Sequence, residues 1–371
     1  MRKAIAFILC AAALSVSAFA APDTSAAAAI LIHADTGEVL YEHNADERML
    51  IASTTKIMTA LVALERCSTD EEVEIDESAV GREGSSMYLE AGDVYTVEEL
   101  LYGLMLASGN DAASALAIHI AGSEEDFAAL MNGKAAQLGL TGTHFANPHG
   151  LDAEGHYSTA RDMAALAAYA MQNADFKRIV SSRSALVHGL TIVNHNKLLG
   201  MYPGCIGVKT GYTMAAGRTL VSCAERDGER YVCVTLSDRN DWNDHMALYD
   251  WAFENFDYVL AADSSVSYRV NAVNGGVPYA GVRAESDAYV LLPAGEDFDI
   301  ELELPPFVIC PVRAGETAGT LRVTRGGEEV CSVRLAYSED IPAVEPPGLL
   351  ERALGFVQGL MRPIYLTEGS E

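Results

Sequence analysis

The chain has 371 residues, 50% of them apolar, and carries 52 acidic against 25 basic side chains for a formal net charge of −27. That composition is of a packed globular protein and excludes a disordered one; an acidic excess of this size excludes nucleic-acid binding, which needs a basic face. The length exceeds one ordinary core and suits two domains.

In chain order, Arg2 and Lys3 precede an apolar run over 4–16, and Ala18-Phe19-Ala20 offers a small-x-small cleavage site before Ala21. This predicts a signal peptide over 1–20, because the run is short for a membrane span. The mature protein is therefore expected outside the cytoplasm. Six cysteines survive cleavage, an even count that permits disulfides without setting their pairing. There is no C-x-x-C pair and no H-E-x-x-H, so no ligands for a zinc mechanism are visible, and no cofactor is expected.

Runs 28–33 and 38–43 flank Asp35-Thr36-Gly37 and predict a strand pair. From Ser53 to about Leu64 the apolar residues Ile57, Met58, Ala60, Leu61 and Leu64 recur at helical spacing. The acidic run from Asp70 to Glu77 reads as solvated surface, with a calcium site there as the lesser alternative. Thr96-Val97-Glu98-Glu99 is a capping-box signature, and the helix it opens stops at Ser108-Gly109. Helices follow near 111–121 and 124–138, then a loop over 145–158 containing Asn147-Pro148-His149-Gly150, then a helix from Thr159. Beta-rich runs 218–224 and 230–237 surround Asp227-Gly228, a strong hairpin signal. Residues 242–256 are helical in pattern. Helices flanking an antiparallel sheet make an α+β domain that ends near Leu260.

Beyond it the texture changes to short alternating runs at 267–273, 289–292, 298–304, 320–324 and 329–337, separated by Gly-rich or acidic turns. They predict a small all-β sandwich over 263–340. After Pro346-Pro347, Leu350, Leu354, Val357, Leu360 or Met361, and Ile364 share one helical face. The segment 348–365 is read as an amphipathic helix that either packs on its own β-domain or, the favoured reading, lies on a membrane surface, although only Arg352 and Arg362 are cationic there.

Three short words share one chemistry: Ser53-Thr54-Thr55-Lys56, Ser108-Gly109-Asn110 and Lys209-Thr210-Gly211. A lone S-x-x-K arises by chance about once in a chain this long. This chain, however, has only six lysines, and two of them fall inside these words in order. A helix from Ser53 would stack Ser53 and Lys56 on one face, within hydrogen-bond reach. Ser53 would be a nucleophile at a helix N-terminus, where unpaired amides favour negative charge. Lys56, kept neutral by burial beside other cations, would take its proton. Ser108 and Asn110 would add hydroxyl and amide contacts. Lys209 would add positive charge, and Thr210 and Gly211 a strand edge for an extended substrate.

The set resembles the penicillin-recognising serine enzymes. Further segments sharpen the likeness: Ala52 to Ala60 around the active serine, Gly109-Asn110-Asp111-Ala112, His149-Gly150-Leu151-Asp152, Tyr157 to Met163, and Gly207 to Thr213. The chain resembles the serine-type D-Ala-D-Ala carboxypeptidases of peptidase family S11, the low-molecular-mass penicillin-binding proteins, well over 26–258. The catalytic domain is placed at 26–260. The resemblance implies a transpeptidase/β-lactamase-like fold and removal of the terminal D-Ala from peptidoglycan stem pentapeptides. It implies an acyl-enzyme on Ser53, Lys56 as general base, and covalent inhibition by β-lactams. It further implies that Ser108 and Lys209 relay a proton to the leaving amine, and that backbone N–H groups of Ser53 and Tyr212 hold the oxyanion. Asn110 would hold the substrate peptide. Thr210 and Arg239 would bind the terminal carboxylate.

The His149 segment is expected to wall the site without doing chemistry, and His195 stands where some relatives carry arginine. A DD-endopeptidase cutting cross-links is the nearest alternative. A class A β-lactamase lacks support because no Glu-x-x-Leu-Asn loop lies between Asn110 and Lys209. A silent wall-binding module is opposed by the intact constellation.

Overall fold

The structure, a computed structural model, describes residues 20–344. The leader expected over 1–20, apart from Ala20, and the amphipathic tail expected over 348–365 lie outside the described residues. Within those residues the chain divides after Phe256 into two compact units.

The first unit is built on a five-stranded antiparallel sheet. Strands β1 (Ala28–His33) and β2 (Val39–His43) form a hairpin. Between them and the remaining strands run α1 (Lys56–Arg66), the short pair β3 (Glu72–Glu74) and β4 (Val94–Thr96), and α2 (Val97–Met105). Then come α3 (Asn110–Ala121), α4 (Glu124–Gln137), α5 (Ala160–Ala170), α6 (Ala174–Ser181), the hairpin β5 (Ser184–Val187) and β6 (Leu190–Val193), and the single turn α7 (Leu198–Met201). Strands β7 (Cys205–Thr213), β8 (Gly217–Arg226) and β9 (Glu229–Leu236) complete the sheet, and α8 (Asp241–Asn255) follows. The order is β2-β1-β9-β8-β7, which leaves β7 as an edge.

Alternation along the strands assigns the two faces of this sheet. Ile30, Ile32, Val221, Val232 and Val234 face a large core shared with α1 to α6. Leu31, Leu220, Tyr231 and Cys233 face a second core closed by Leu198, Leu248, Tyr249 and Ala252. Both faces are thus covered, which is why β1 is buried at all six positions and reads as an apolar run from Ala28 to Ile32 that ends on a buried His33. Local signals act as their chemistry dictates. Thr96 and Glu99 form the expected capping box at α2, worth roughly 1 kcal/mol. Asp227 and Gly228 both take positive φ, 52° and 89°, which a two-residue turn between twisted strands requires.

The second unit is all β. A six-stranded sheet, in spatial order Asp299–Glu303, Thr317–Arg325, Glu328–Tyr337, Tyr279–Ala284, Tyr268–Val273 and Phe307–Ile309, pairs antiparallel except at its last contact. A two-stranded ribbon, Phe256–Ala262 with Ala288–Pro293, shares its core through Ala261, Ala262, Val290 and Leu292. The strands Phe256–Ala262, Tyr279–Ala284 and Phe307–Ile309 escape the sequence pattern, the first because the helical run before it is expected to close the domain. In Tyr279–Ala284, Gly281 interrupts the alternation; a Cβ there would lie 2.5 Å from Ser338 Oγ. All six cysteines after the leader are free thiols, so the even count does not signal disulfides. No helix among the described residues is long and apolar enough to cross a membrane.

Candidate active site

Ser53 does not begin an α-helix as its pattern suggests. It lies in one 3₁₀ turn, Ala52–Thr55, that runs directly into α1. Side chains pin the turn. Thr54 Oγ1 donates to the Ile51 carbonyl at 2.6 Å, Thr55 Oγ1 to the Ala52 carbonyl at 2.8 Å, and Thr219 Oγ1 of β8 to the Ile51 carbonyl at 3.1 Å. Ala52, just before the serine, has φ of 45°, a left-handed conformation that costs an L-residue roughly 1–2 kcal/mol. Two glycines let neighbouring backbone close on this turn. A Cβ on Gly150 would lie 2.0 Å from the Ala52 carbonyl oxygen, and one on Gly211 would lie 2.9 Å from the Ser53 nitrogen.

Lys56 is fully buried at the start of α1. Its Nζ lies 3.0 Å from Ser53 Oγ and donates to Asn110 Oδ1 and to the His149 carbonyl, each at 2.6 Å. Burial holds its pKa well below the usual lysine value. The Lys209 charge pushes the same way and Asp111 opposes both. As a neutral amine Lys56 has two N–H donors, and the two carbonyl oxygens take them. The lone pair then faces the Ser53 hydroxyl, the geometry a general base needs.

The second word joins α2 to α3. Ser108 is buried with φ of 63°, and Gly109 precedes Asn110 at the first turn of α3. The Asn110 side chain is held at both ends, because Nδ2 donates to the Glu83 carbonyl at 2.5 Å while Oδ1 accepts from Lys56. One further N–H of its amide remains chemically available for a substrate carbonyl. The neighbouring Asp111 carboxylate accepts from the Ser86 hydroxyl and from the backbone of Met87 and Leu89, fixing the 86–89 loop beside the cleft.

Lys209 is also fully buried; its Nζ donates to the Thr210 carbonyl at 2.9 Å, and burial lowers its pKa to about 7. It lies on β7, whose outer edge carries no strand among the described residues. A cleft of about 330 Å³ brings together Ser53, Ser85, Ser108, Thr210, Gly211 and Tyr212. His195, Lys197, Arg218, Asp241 and Trp242 line the same cleft. Lys56 and Asn110 meet this cleft from beneath, through Ser53 and through each other.

Two further predicted residues do not line the cleft: Lys209, which is buried and bonded to the Thr210 carbonyl, and Arg239. Arg239 is exposed, whereas Arg218 lines the cleft in a bidentate pair with Asp241 at 2.8–3.0 Å. Arg239 sits in the loop after β9, beside the buried Asp238, while β8 carries Arg218 into the cleft. No local pattern marks Arg218, because its partner is 23 residues away. Asp111 had a better signal, since it directly follows the second word.

The histidines separate by environment. His149 presents its carbonyl to Lys56, while its ring accepts from the Leu151 N–H and faces Glu124 at 3.6 Å. Glu124 is fixed in turn by Ser114 and Arg82. His149 therefore positions Lys56 through its backbone. His195 lines the cleft with its pKa lowered, first by burial and then by the Lys209 charge, so its ring is neutral at pH 7.

A mixed α/β body with an antiparallel sheet, a serine and a buried lysine at the head of one helix, and a lysine strand at the sheet edge define a penicillin-binding-protein-like fold. The chain belongs to the D-alanyl-D-alanine carboxypeptidase family, peptidase family S11, whose model matches residues 15–240. It is 35% identical over 349 residues to D-alanyl-D-alanine carboxypeptidase DacF of Bacillus subtilis (strain 168), covering 89% of each chain. Penicillin binding protein 5 of Haemophilus influenzae superposes with a TM-score of 0.75 at 29% identity, over 87% of this chain and 99% of that one. A point mutant of Streptomyces K15 DD-transpeptidase superposes at 0.60 with 34% identity, over 63% and 99%.

Proposed function

We infer that this protein is a serine D-Ala-D-Ala carboxypeptidase that removes the terminal D-alanine from peptidoglycan stem peptides and is acylated by β-lactams. The observation that carries the mechanism is Lys56: fully buried, held by two carbonyl oxygens, with its nitrogen 3.0 Å from Ser53 Oγ. Ser53 Oγ attacks the carbonyl carbon between the two D-alanines and passes its proton to Lys56. The negative charge that develops on the carbonyl oxygen is taken by backbone N–H groups of Ser53 and Tyr212; one such donor is typically worth about a hundred- to thousand-fold in rate. The C–N bond breaks as the proton held by Lys56 passes through Ser108 and Lys209 to the leaving amine, which leaves an ester on Ser53 and returns Lys56 to its neutral form. Water then attacks the ester, giving a proton to Lys56, which hands it to Ser53 Oγ as the acyl group departs.

The terminal D-Ala carboxylate is proposed to lie against Thr210, Lys197 and Arg218, with Arg218 in the role expected of Arg239. A free carboxylate is what separates a pentapeptide end from an internal cross-link, so this cationic end of the cleft favours carboxypeptidase over endopeptidase action. Export by the leader and attachment to the outer face of the cytoplasmic membrane through 348–365 belong to the same proposal, supported by the sequence patterns of those segments.

Intact-mass measurement after penicillin treatment tests the nucleophile. A covalent adduct is expected on the wild type and none on Ser53→Ala; an equal adduct on both would remove Ser53 from the mechanism. Incubation with a pentapeptide and a cross-linked dimer should release D-Ala from the first much faster than it resolves the second. Deleting 348–371 should abolish co-sedimentation with membranes.

A further inference from the structure

Outside the catalytic cleft, one cluster gathers a thiol, an imidazole and a carboxylate from three separate segments. Cys67 is the C-cap of α1, Glu71 lies in the turn before β3, and His119 sits in the last turn of α3. Their ligand atoms (Sγ, a carboxylate oxygen and a ring nitrogen) all lie within 4.8 Å of one another. His119 Nε2 is 2.8 Å from Glu71 Oε1, and the Cys67 thiol is hydrogen-bonded to the same carboxylate. The backbone frame is set independently. Cys67 N–H closes α1 on the Ala63 carbonyl, Glu71 N–H bonds the Ser68 carbonyl, and the Glu71 carbonyl accepts from Val97 at the start of α2. All three side chains have a path to solvent, Cys67 being half-buried and the other two exposed.

We propose that Cys67, Glu71 and His119 form a binding site for one divalent zinc-type ion, with water as fourth ligand. The donor set decides the class. Sulfur plus imidazole plus one carboxylate suits Zn²⁺, whereas Ca²⁺ and Mg²⁺ take all-oxygen shells. Tetrahedral zinc with bonds of about 2.0–2.3 Å holds its ligands roughly 3.5 Å apart, so ligand atoms within 4.8 Å of one another need only a small approach to close on the ion. On binding, the thiol S–H proton leaves to solvent as Cys67 becomes a thiolate, and the ion takes the place between His119 Nε2 and Glu71 Oε1 as the Nε2 proton passes through solvent to Nδ1 of the neutral ring. No atom changes oxidation state. The acidic run from Asp70 to Glu77 raises the local concentration of cations around the site. Bound metal would tie the ends of α1 and α3 to the turn before β3, stabilising the body of the first unit by mass action.

Titration of the full chain with Zn²⁺ against a chromophoric chelator, and separately with Co²⁺, tests the site. One equivalent of Zn²⁺ should bind and raise the melting temperature, and Co²⁺ should give the absorption of a thiolate–cobalt bond. Cys67→Ser and His119→Ala should each weaken Zn²⁺ by more than about tenfold, the least that even outer-shell changes cost at zinc sites. Cys67→Ser should also abolish the thiolate–cobalt absorption. Both variants should keep the wild-type rate of acylation by penicillin, which shows that they are folded. Equal Zn²⁺ binding by wild type and both variants, no binding at all, or displacement of Zn²⁺ by equimolar Ca²⁺ would each overturn the proposal.

Discussion

A Cβ on Gly211 would lie 2.9 Å from the backbone nitrogen of Ser53, 3.1 Å from Ala52 Cβ and 2.4 Å from Thr219 Oγ1. The edge strand thus approaches the nucleophile's turn more closely than any residue with a side chain permits, and this contact sets the width of the cleft at the reacting atom. Gly211→Ala is expected to push β7 away from Ser53 and to slow penicillin acylation by roughly a hundredfold, the usual effect of misplacing a reacting group by about 1 Å. Stopped-flow acylation with a fluorescent penicillin measures it. A wild-type rate in a folded variant would mean that the strand does not set the geometry.

The pH profile of acylation should be bell-shaped. Lys56, with its pKa lowered mainly by burial, must lose a proton to act as base and sets the acid limb. Lys209, lowered to about 7 by burial, is cationic below that value and neutral above it, so activity should fall as pH rises through neutrality. Lys209→Arg stays charged at every accessible pH. It should lower the plateau and remove the alkaline limb; a limb persisting near pH 7 would assign it to another group.

Stability should fall in mild acid. His33 and His156 are held near pKa 4 and His245 near 3, each chiefly by burial. His156 Nδ1 accepts from the Ala146 N–H and His245 contacts Ser222 and Thr235, so neutral rings are built into the packing. Between these values and the model-peptide value of 6.5 the unfolded chain binds more protons than the native one. Stability therefore rises with pH across that window and is lost as pH drops from about 6.5 toward 3–4. Each unit of separation is worth about 1.4 kcal/mol, so His156 and His245, the two most enclosed, each contribute a few kcal/mol. Denaturant unfolding at pH 7, 5.5 and 4.5 should show it. His245→Gln should be less stable at pH 7 yet lose less on acidification, and an unchanged slope would count against His245.

Arg218 should govern carboxylate recognition. Arg218→Gln is expected to raise KM for a pentapeptide with a free C-terminus about ten- to a hundredfold, as for loss of hydrogen bonds to a charged group. It should barely affect KM for the same peptide ending in an amide. Arg239→Gln, altering an exposed side chain, should leave both unchanged. The reverse ranking in steady-state hydrolysis would restore Arg239.

Much of the site was legible because its chemistry is packed into short words. The i,i+3 spacing of Ser53 and Lys56 alone puts the amine within reach of the hydroxyl, whether the turn is α or, as found, 3₁₀. The capping box at Thr96, the Asp227-Gly228 turn and the apolar periodicities likewise act within a few residues. Arg218 and Arg239 could not be ranked this way, because which guanidinium faces the cleft depends on sheet register and on Asp241. Cys67, Glu71 and His119 were unreadable as a cluster for the same reason, since two helix ends and a turn must pack before they meet.

By itself, the sequence determined the family, the Ser53–Lys56 pairing from which the mechanism is proposed, and the order of most elements, all encoded in contacts between near neighbours. Only the tertiary structure decided what makes those groups reactive. Lys56 is poised as a base because burial, the Lys209 charge and the carbonyls of Asn110 and His149 converge on it from distant segments, and desolvation exists only once the core has closed.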